Sequence, residues 1–251
     1  MKNVKKKGKY MDNKLMSADE AVAGVEDGMI IMVGGFLGTG SPEIIMDALV
    51  RKGVKNLTVI CNDGGLDAGQ PPGEFAGDTA RGIGKLLENR MVAHIIGSHF
   101  GVNPKLNEQF ADGTLKYTLI PQGTLGEKIR AASYGFCGIL TSAGIGTIIE
   151  TELDELNRKR KVLDIDGKKY FFEYPLRADY SFVRATVADK FGNFYCAKAT
   201  KNFNYVMAGA SKKTIVAAER VVEIGECDPD IFDVAGVLVD GIVEGEQKWR
   251  I

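Results

Sequence analysis

The 251-residue chain is short of the residues that most readily betray a function. Its four cysteines, Cys61, Cys137, Cys196 and Cys227, are widely separated, with no CxxC pair and no histidine at ligand spacing. That pattern argues against structural zinc and suits free thiols in a reducing cytoplasm. Neither charge dominates, with 32 Lys and Arg against 33 Asp and Glu, so nothing global draws the protein to nucleic acid or an acidic surface. No apolar run approaches the roughly 20 residues that cross a bilayer. Internal repeats and low-complexity linkers that would divide the chain are absent too.

The one concentration of charge is at the start, where Lys2, Lys5, Lys6, Lys7 and Lys9 precede the first patterned segment. A signal peptide would continue into an apolar stretch of about 7 to 15 residues, and none follows. Residues 1–14 are therefore expected to form a basic, flexible arm, and 15–251 a single domain. At 45% apolar and 26% charged, the chain can bury a sizeable core.

Ser17, followed three residues later by Glu20, is a capping box, and Ala18, Ala21, Val22 and Val25 recur at helical spacing. Met29 to Val33 is apolar throughout and reads as a strand buried on both faces. After the loop from Gly34 to Gly40, Ser41 is expected as N-cap and Pro42 as the first helical residue, with Ile44, Ile45, Ala48 and Leu49 facing inward and Gly53 as the stop. Leu57 to Cys61 is a second strand, which completes a βαβ unit.

The segment from Asp63 to Asp78, with Pro71 and Pro72, reads as a loop or insertion. Beyond it, strands are expected at Val92 to Ile96, Tyr117 to Ile120, Ser181 to Val187, Thr214 to Ala218 and Val237 to Val239, with a helix from Leu125 to Ser133. Val162 to Ile165 and Lys168 to Phe172 flank Asp166-Gly167, a strong two-residue hairpin signal. The fold class is α/β: a mostly parallel sheet with helices on both faces and a small antiparallel hairpin as decoration.

The stretch from Asp27 to Pro42, DGMIIMVGGFLGTGSP, sets Gly34, Gly35, Gly38 and Gly40 between a buried strand and a helix start. Bare backbone there can approach a ligand, and exposed N–H groups can meet a phosphate or a thioester oxyanion. It is not a dinucleotide GxGxxG, because Glu43 stands where the third glycine belongs, nor a P-loop, because no Lys-Ser or Lys-Thr ends it.

It resembles the alpha-subunit signature of family I coenzyme A transferases: an acidic residue or Asn, Gly, two free positions, three apolar residues, GGF, three free positions, Gly, one free position and Pro. Every constrained position is filled. At average residue usage, Gly34, Gly35, Gly40 and Pro42 alone would coincide on the order of once in 10^5 starts. Further segments look like the same family: Asn62-Asp63, Gly97-Ser98-His99 with Asn103-Pro104, Pro121-Gln122-Gly123-Thr124-Leu125, Pro175-Leu176-Arg177-Ala178-Asp179, Gly192-Asn193 and Asn202-Phe203-Asn204. Two departures, Ser142-Ala143 in place of Pro-Thr and a longer Gly64–Gly82 segment, bear on which acid is used.

The resemblance implies ping-pong transfer of CoA between short-chain carboxylic acids such as acetate, butyrate, acetoacetate or a similar 3-oxoacid. A glutamate of a beta subunit would become a glutamyl-CoA thioester. No Ser-Glu-Asn-Gly motif occurs here, so this chain is assigned no nucleophile. It would complete the site of a hetero-oligomer, an α2β2 assembly, with the CoA thioester as substrate, no metal and no permanently bound cofactor. By the resemblance, Gly34, Gly35, Phe36, Leu37, Gly38, Thr39 and Gly40 would meet CoA, Phe36 would also wall the acyl pocket, and Asn62 and Gln122 would face the oxyanion or carboxylate.

The bland alternatives are a turn asparagine for Asn62 and a loop amide for Gln122. His94, in an apolar strand, reads as a buried, hydrogen-bonded histidine, His99 as a residue that follows the same strand, and Glu127 with Arg130 as an ion pair or interface contact. Cys61 has no electropositive neighbour to activate it. Two other functions remain open at this point: a sugar-phosphate isomerase using the loop for phosphate, with Asp63 as its obvious acid-base candidate, and a non-catalytic CoA or nucleotide sensor.

Overall fold

The computed structural model describes residues 13–68 and 79–246. The expected lysine arm falls outside them up to position 12, as do Pro71 and Pro72. Lys14 is held: its Nζ donates to the carbonyls of Gly236 (2.8 Å) and Val239 (2.7 Å).

The capping box forms as read. Ser17 Oγ accepts from the Glu20 amide, Glu20 accepts from the Ser17 amide, and α1 runs Ala18–Val22. Strand β1 (Ile30–Val33) leads through the glycine loop to α2 (Glu43–Lys52), which Gly53 ends, and on to β2 (Leu57–Ile60), parallel to β1. Helix α3 (Gly84–Glu88), β3 (Val92–Gly97), α4 (Pro104–Ala111), β4 (Lys116–Leu119) and α5 (Gln122–Ser133) continue the alternation.

Strands β5 (Ile139–Thr141), β6 (Lys161–Ile165) and β7 (Lys168–Glu173) form a separate antiparallel sheet in the order β5-β7-β6. Its hairpin turns at Asp166-Gly167, where φ values of 52° and 76° give the left-handed pair such a turn demands. The long strands β8 (Ala178–Asp189) and β10 (Ser211–Val222) flank β9 (Phe194–Tyr195) and α6 (Asn204–Met207) in sequence, and β11 (Gly241–Glu244) closes the edge.

The main sheet orders its strands β11-β10-β8-β1-β2-β3-β4, parallel throughout, with β9 antiparallel on β8. Alternation along the strands separates two cores. Ile31 and Val33 pack with Ile45, Leu49, Leu86, Phe182 and Ile215 on one face. Met32 packs with Ile60, Leu125, Ile129, Val183 and Met207 on the other. Helices therefore cover both faces, and the chain reverses its direction of strand addition at β1. A crevice outside the carboxyl ends of strands at such a switch point is where α/β sheets bind ligands.

Two sequence expectations need correction. Ser41 does not cap α2; Pro42 occupies the N-cap position and the helix begins at Glu43. Ser41 is drawn under the glycine loop, and the second helical amide, that of Ile44, donates instead to Glu246 Oε2 (3.0 Å). Val237 to Val239 is not a strand but a turn of 3₁₀ helix with Val237 74% exposed. The Gly236 amide donates to Asn193 Oδ1 (2.7 Å), which folds the backbone there, and the edge strand forms after Asp240.

Candidate functional site

The glycine loop leaves the carboxyl end of β1 and folds back on itself. Phe36 and Thr39 exchange backbone hydrogen bonds (2.9 and 2.8 Å) around Leu37 (φ 46°) and Gly38 (φ 78°), a tight two-residue turn. A leucine in that conformation costs about 1–2 kcal/mol. The Leu37 amide is in turn held by Asp63 Oδ2 at 2.8 Å.

Close packing explains why glycine is needed at the loop's base. A β-carbon on Gly34 would lie 2.8 Å from Asn204 Cγ and closer still to Oδ1. Asn204 is fully buried and saturated: Nδ2 donates to the carbonyls of Gly40 (2.9 Å) and Thr200 (2.7 Å), and Oδ1 accepts from the Arg184 amide (2.8 Å). Asn202 Nδ2 adds a bond to the Thr39 carbonyl (2.9 Å). The two asparagines thus clamp consecutive carbonyls of the loop.

Within the loop, the amides of Gly34, Phe36, Leu37 and Thr39 are spent on Phe182, Thr39, Asp63 and Phe36. Those of Gly35, Gly38 and Gly40 have no hydrogen-bond partner among the described residues. Phe36, at the tip, is 41% exposed.

Beneath the loop, Val33, Gly34, Gly35, Ser41, Asn62 and Asp63 line a small cleft. Asn62 follows β2 and is buried. Its Oδ1 accepts from Gln122 Nε2 (2.7 Å) and lies 2.9 Å from Ser98 Oγ, and its Nδ2 donates to Asp63 Oδ2 (2.8 Å). Asp63 Oδ1 accepts from the Gly65 amide (2.9 Å). Two residues 60 apart in sequence, Asn62 and Gln122, are therefore joined directly. Gln122 opens α5 and is exposed at the rim of a second cleft of about 280 Å³, lined also by Arg130, Asn202, Phe203 and Tyr205. Leu66 and Arg81 exchange backbone hydrogen bonds (3.2 and 2.9 Å).

The other residues singled out from sequence fall as follows. His94 is half-buried, paired with Thr118 Oγ1 (2.9 Å), and burial aided by the Lys116 charge lowers its pKa to about 4. His99 is exposed, with its backbone bridged to Asp63. Glu127 and Arg130 form a surface ion pair. Cys61 is buried, and burial together with the Asp63 charge pushes its thiol well above the usual range, the opposite of an activated thiolate. Ser142-Ala143 lies in an exposed turn.

Sequence reasoning did not assign the roles of Asp63, Ser98 and Asn204 as ties. The Gly-Ser-His and Asn-Phe-Asn segments marked two of these places without saying what they hold. Among the described residues no cluster of three or more His, Cys, Asp or Glu could hold a metal ion, and no helix is long and apolar enough to cross a membrane.

The model of a protein family described as coenzyme A transferase matches residues 15–245. A probable coenzyme A transferase subunit alpha of Bacillus subtilis is 41% identical over 94% of this chain and 96% of its own. The acetoacetyl-CoA:acetate/butyrate CoA transferase alpha subunit of Clostridium acetobutylicum is 37% identical over 93% of this chain and 99% of its own. Among solved structures, an acyl-CoA transferase from Escherichia coli O157:H7, crystallised as a thioester complex with CoA, superposes with a TM-score of 0.76 at 25% identity. The alignment covers 92% of this chain and 46% of that longer one.

Proposed function

The chain belongs to the coenzyme A transferase family, and from that premise we propose that it works as the alpha subunit of a cytoplasmic two-subunit enzyme. The pair moves CoA between short-chain carboxylic acids, acetate, butyrate and acetoacetate or a similar 3-oxoacid, by ping-pong chemistry. The alpha subunit brings hydrogen-bond donors, and the beta subunit brings the glutamate that carries the glutamyl-CoA thioester, in an α2β2 assembly.

One observation carries this reading. Among the described residues lining the cleft under the glycine loop, Asp63 is the one carboxylate, and it is only 6% exposed and holds three N–H groups. Around it stand the Gly35 amide, Asn62 and, through Asn62, Gln122. Donors without a free carboxylate are what one half of such a transfer site offers when the other half brings the glutamate. The same geometry speaks against a self-sufficient isomerase, because its acid-base candidate is already spent on structural bonds.

Each half of the proposal has its own measurement. Purified alone, the chain is expected to exchange no CoA between acetate and acetoacetyl-CoA and to form no hydroxylamine-sensitive adduct. Mixed with a beta subunit, it is expected to do both. An adduct on the chain alone would refute the division of labour, and a mixture inert towards every short-chain acyl-CoA would leave the sensor reading standing.

A further inference from the structure

Asp63 bonds two parts of the site at once, and its chemistry dictates the direction of every bond beyond it. An ionised carboxylate only accepts. Asn62 must therefore turn its NH₂ towards Asp63 Oδ2, which points its carbonyl Oδ1 at Ser98 and Gln122. Gln122, meeting an acceptor, must turn its own NH₂ inward (2.7 Å). The donors then run one way, from Gln122 through Asn62 to Asp63. What remains for a ligand is one N–H on Asn62 and, at the exposed face of Gln122, one N–H and the carbonyl oxygen.

The reverse arrangement would set Asn62 Oδ1 against the Asp63 carboxylate, two acceptors facing each other in a buried setting. The same Oδ2 also holds the Leu37 amide at the tip of the glycine loop (2.8 Å). We propose that Asp63 is a positioning residue for CoA transfer: through a single oxygen it fixes the loop tip and sets the polarity of the Asn62–Gln122 pair, and so decides which atoms this subunit presents to the substrate. The inference rests on the transferase reading above and adds to it a residue that does not itself touch substrate.

The decisive variant is Gln122→Glu in the assembled two-subunit enzyme. The introduced carboxylate has no proton for Asn62 Oδ1 at neutral pH, and with Asp63 holding the Asn62 NH₂ the pair cannot reverse to suit it. The expected result at neutral pH is a fall in kcat of about tenfold or more with KM for the CoA thioester little changed. Activity should be regained relative to Gln122→Ala as pH falls and the introduced carboxylate takes up a proton it can donate. In an Asp63→Ala background Asn62 is free to turn and relieve the inward clash, so Gln122→Glu should cost several-fold less there than in the parent, a non-additivity that general destabilisation does not produce.

If the Asp63→Ala chain does not fold, the pH profile of Gln122→Glu alone still decides. A Gln122→Glu enzyme as active as the parent, with a flat pH profile, would overturn the proposal. A crystal structure of the Gln122→Glu chain by itself separates this failure from failure of the transferase reading, since it needs no activity. An introduced carboxylate swung away from Asn62 supports the fixed polarity, and one accepting from a reversed Asn62 sinks it.

Discussion

Gly34 and Asn204 stand so close that the glycine has no room for a side chain: the carboxamide of Asn204 fills the place of the missing β-carbon. Gly34→Ala must push Asn204 off the Gly40 and Thr200 carbonyls or lift the loop. A lowered Tm is expected, together with lost activity in the assembled enzyme. Asn204→Ala leaves the Gly40 and Thr200 carbonyls and the Arg184 amide without their partner, at a cost of about 1–3 kcal/mol for each buried group stranded. Urea denaturation of the isolated chain reads the second effect directly.

The three-stranded sheet is fastened to α5 by charge. Lys128, fully buried, pairs with Glu155 (2.9 Å) and Glu173, and Arg160 also reaches Glu173. Removing one partner of such a buried set strands the others, so Lys128→Met is expected to cost about 3–5 kcal/mol. A Lys128→Met chain with an unchanged denaturation midpoint would mean that the cluster contributes nothing net.

Thiol chemistry should sort the cysteines by burial. Cys61 and Cys196 are buried, and burial together with the Asp233 charge pushes the Cys196 thiol up to about 12. Cys137 is exposed and Cys227 partly so. Ellman titration of the native isolated chain is expected to show a fast phase that Cys137→Ser removes, with Cys61 and Cys196 reacting only in denaturant. Fast labelling of Cys61 would show the cleft to be far more open than this.

Acid should weaken the fold through His94. Its pKa is lowered from 6.5 to about 4 by burial and by Lys116, so between those values the unfolded chain binds the proton that the native chain refuses. Stability therefore falls as pH falls through that window. His94→Gln, which can keep the bond to Thr118, should lose less stability than the parent between pH 7 and pH 5 in urea melts. Transferase activity should not change.

What could be read in the sequence was what periodicity and punctuation encode. The apolar run of β1, the glycines after it and the stripe of α2 announced a βαβ unit, and Asp166-Gly167 announced its hairpin. Ties between polar side chains have no such signature. The bond from Leu37 to Asp63, or from Asn204 to Gly40, depends on where two distant segments meet, and a single polar residue looks the same whether it faces water or a backbone amide. The misread strand at Val237 failed for a related reason: three apolar residues in a row state composition, while burial depends on the backbone turn set by Asn193 and Gly236. Helix α4 shows a signal present but unused, with Asn103 as N-cap and Pro104 as first residue.

The clamp on the glycine loop also orders events in time. Asn202 and Asn204 lie 163 and 164 residues beyond the carbonyls they hold, and Glu246 lies 202 residues beyond the helix amide it caps. During synthesis, β1 and α2 emerge long before any of these partners, so the loop must wait for nearly the whole chain before it can set. Contacts this far apart in sequence form late and slowly. A ribosome-bound or truncated chain could own a good deal of the sheet and still lack a set loop.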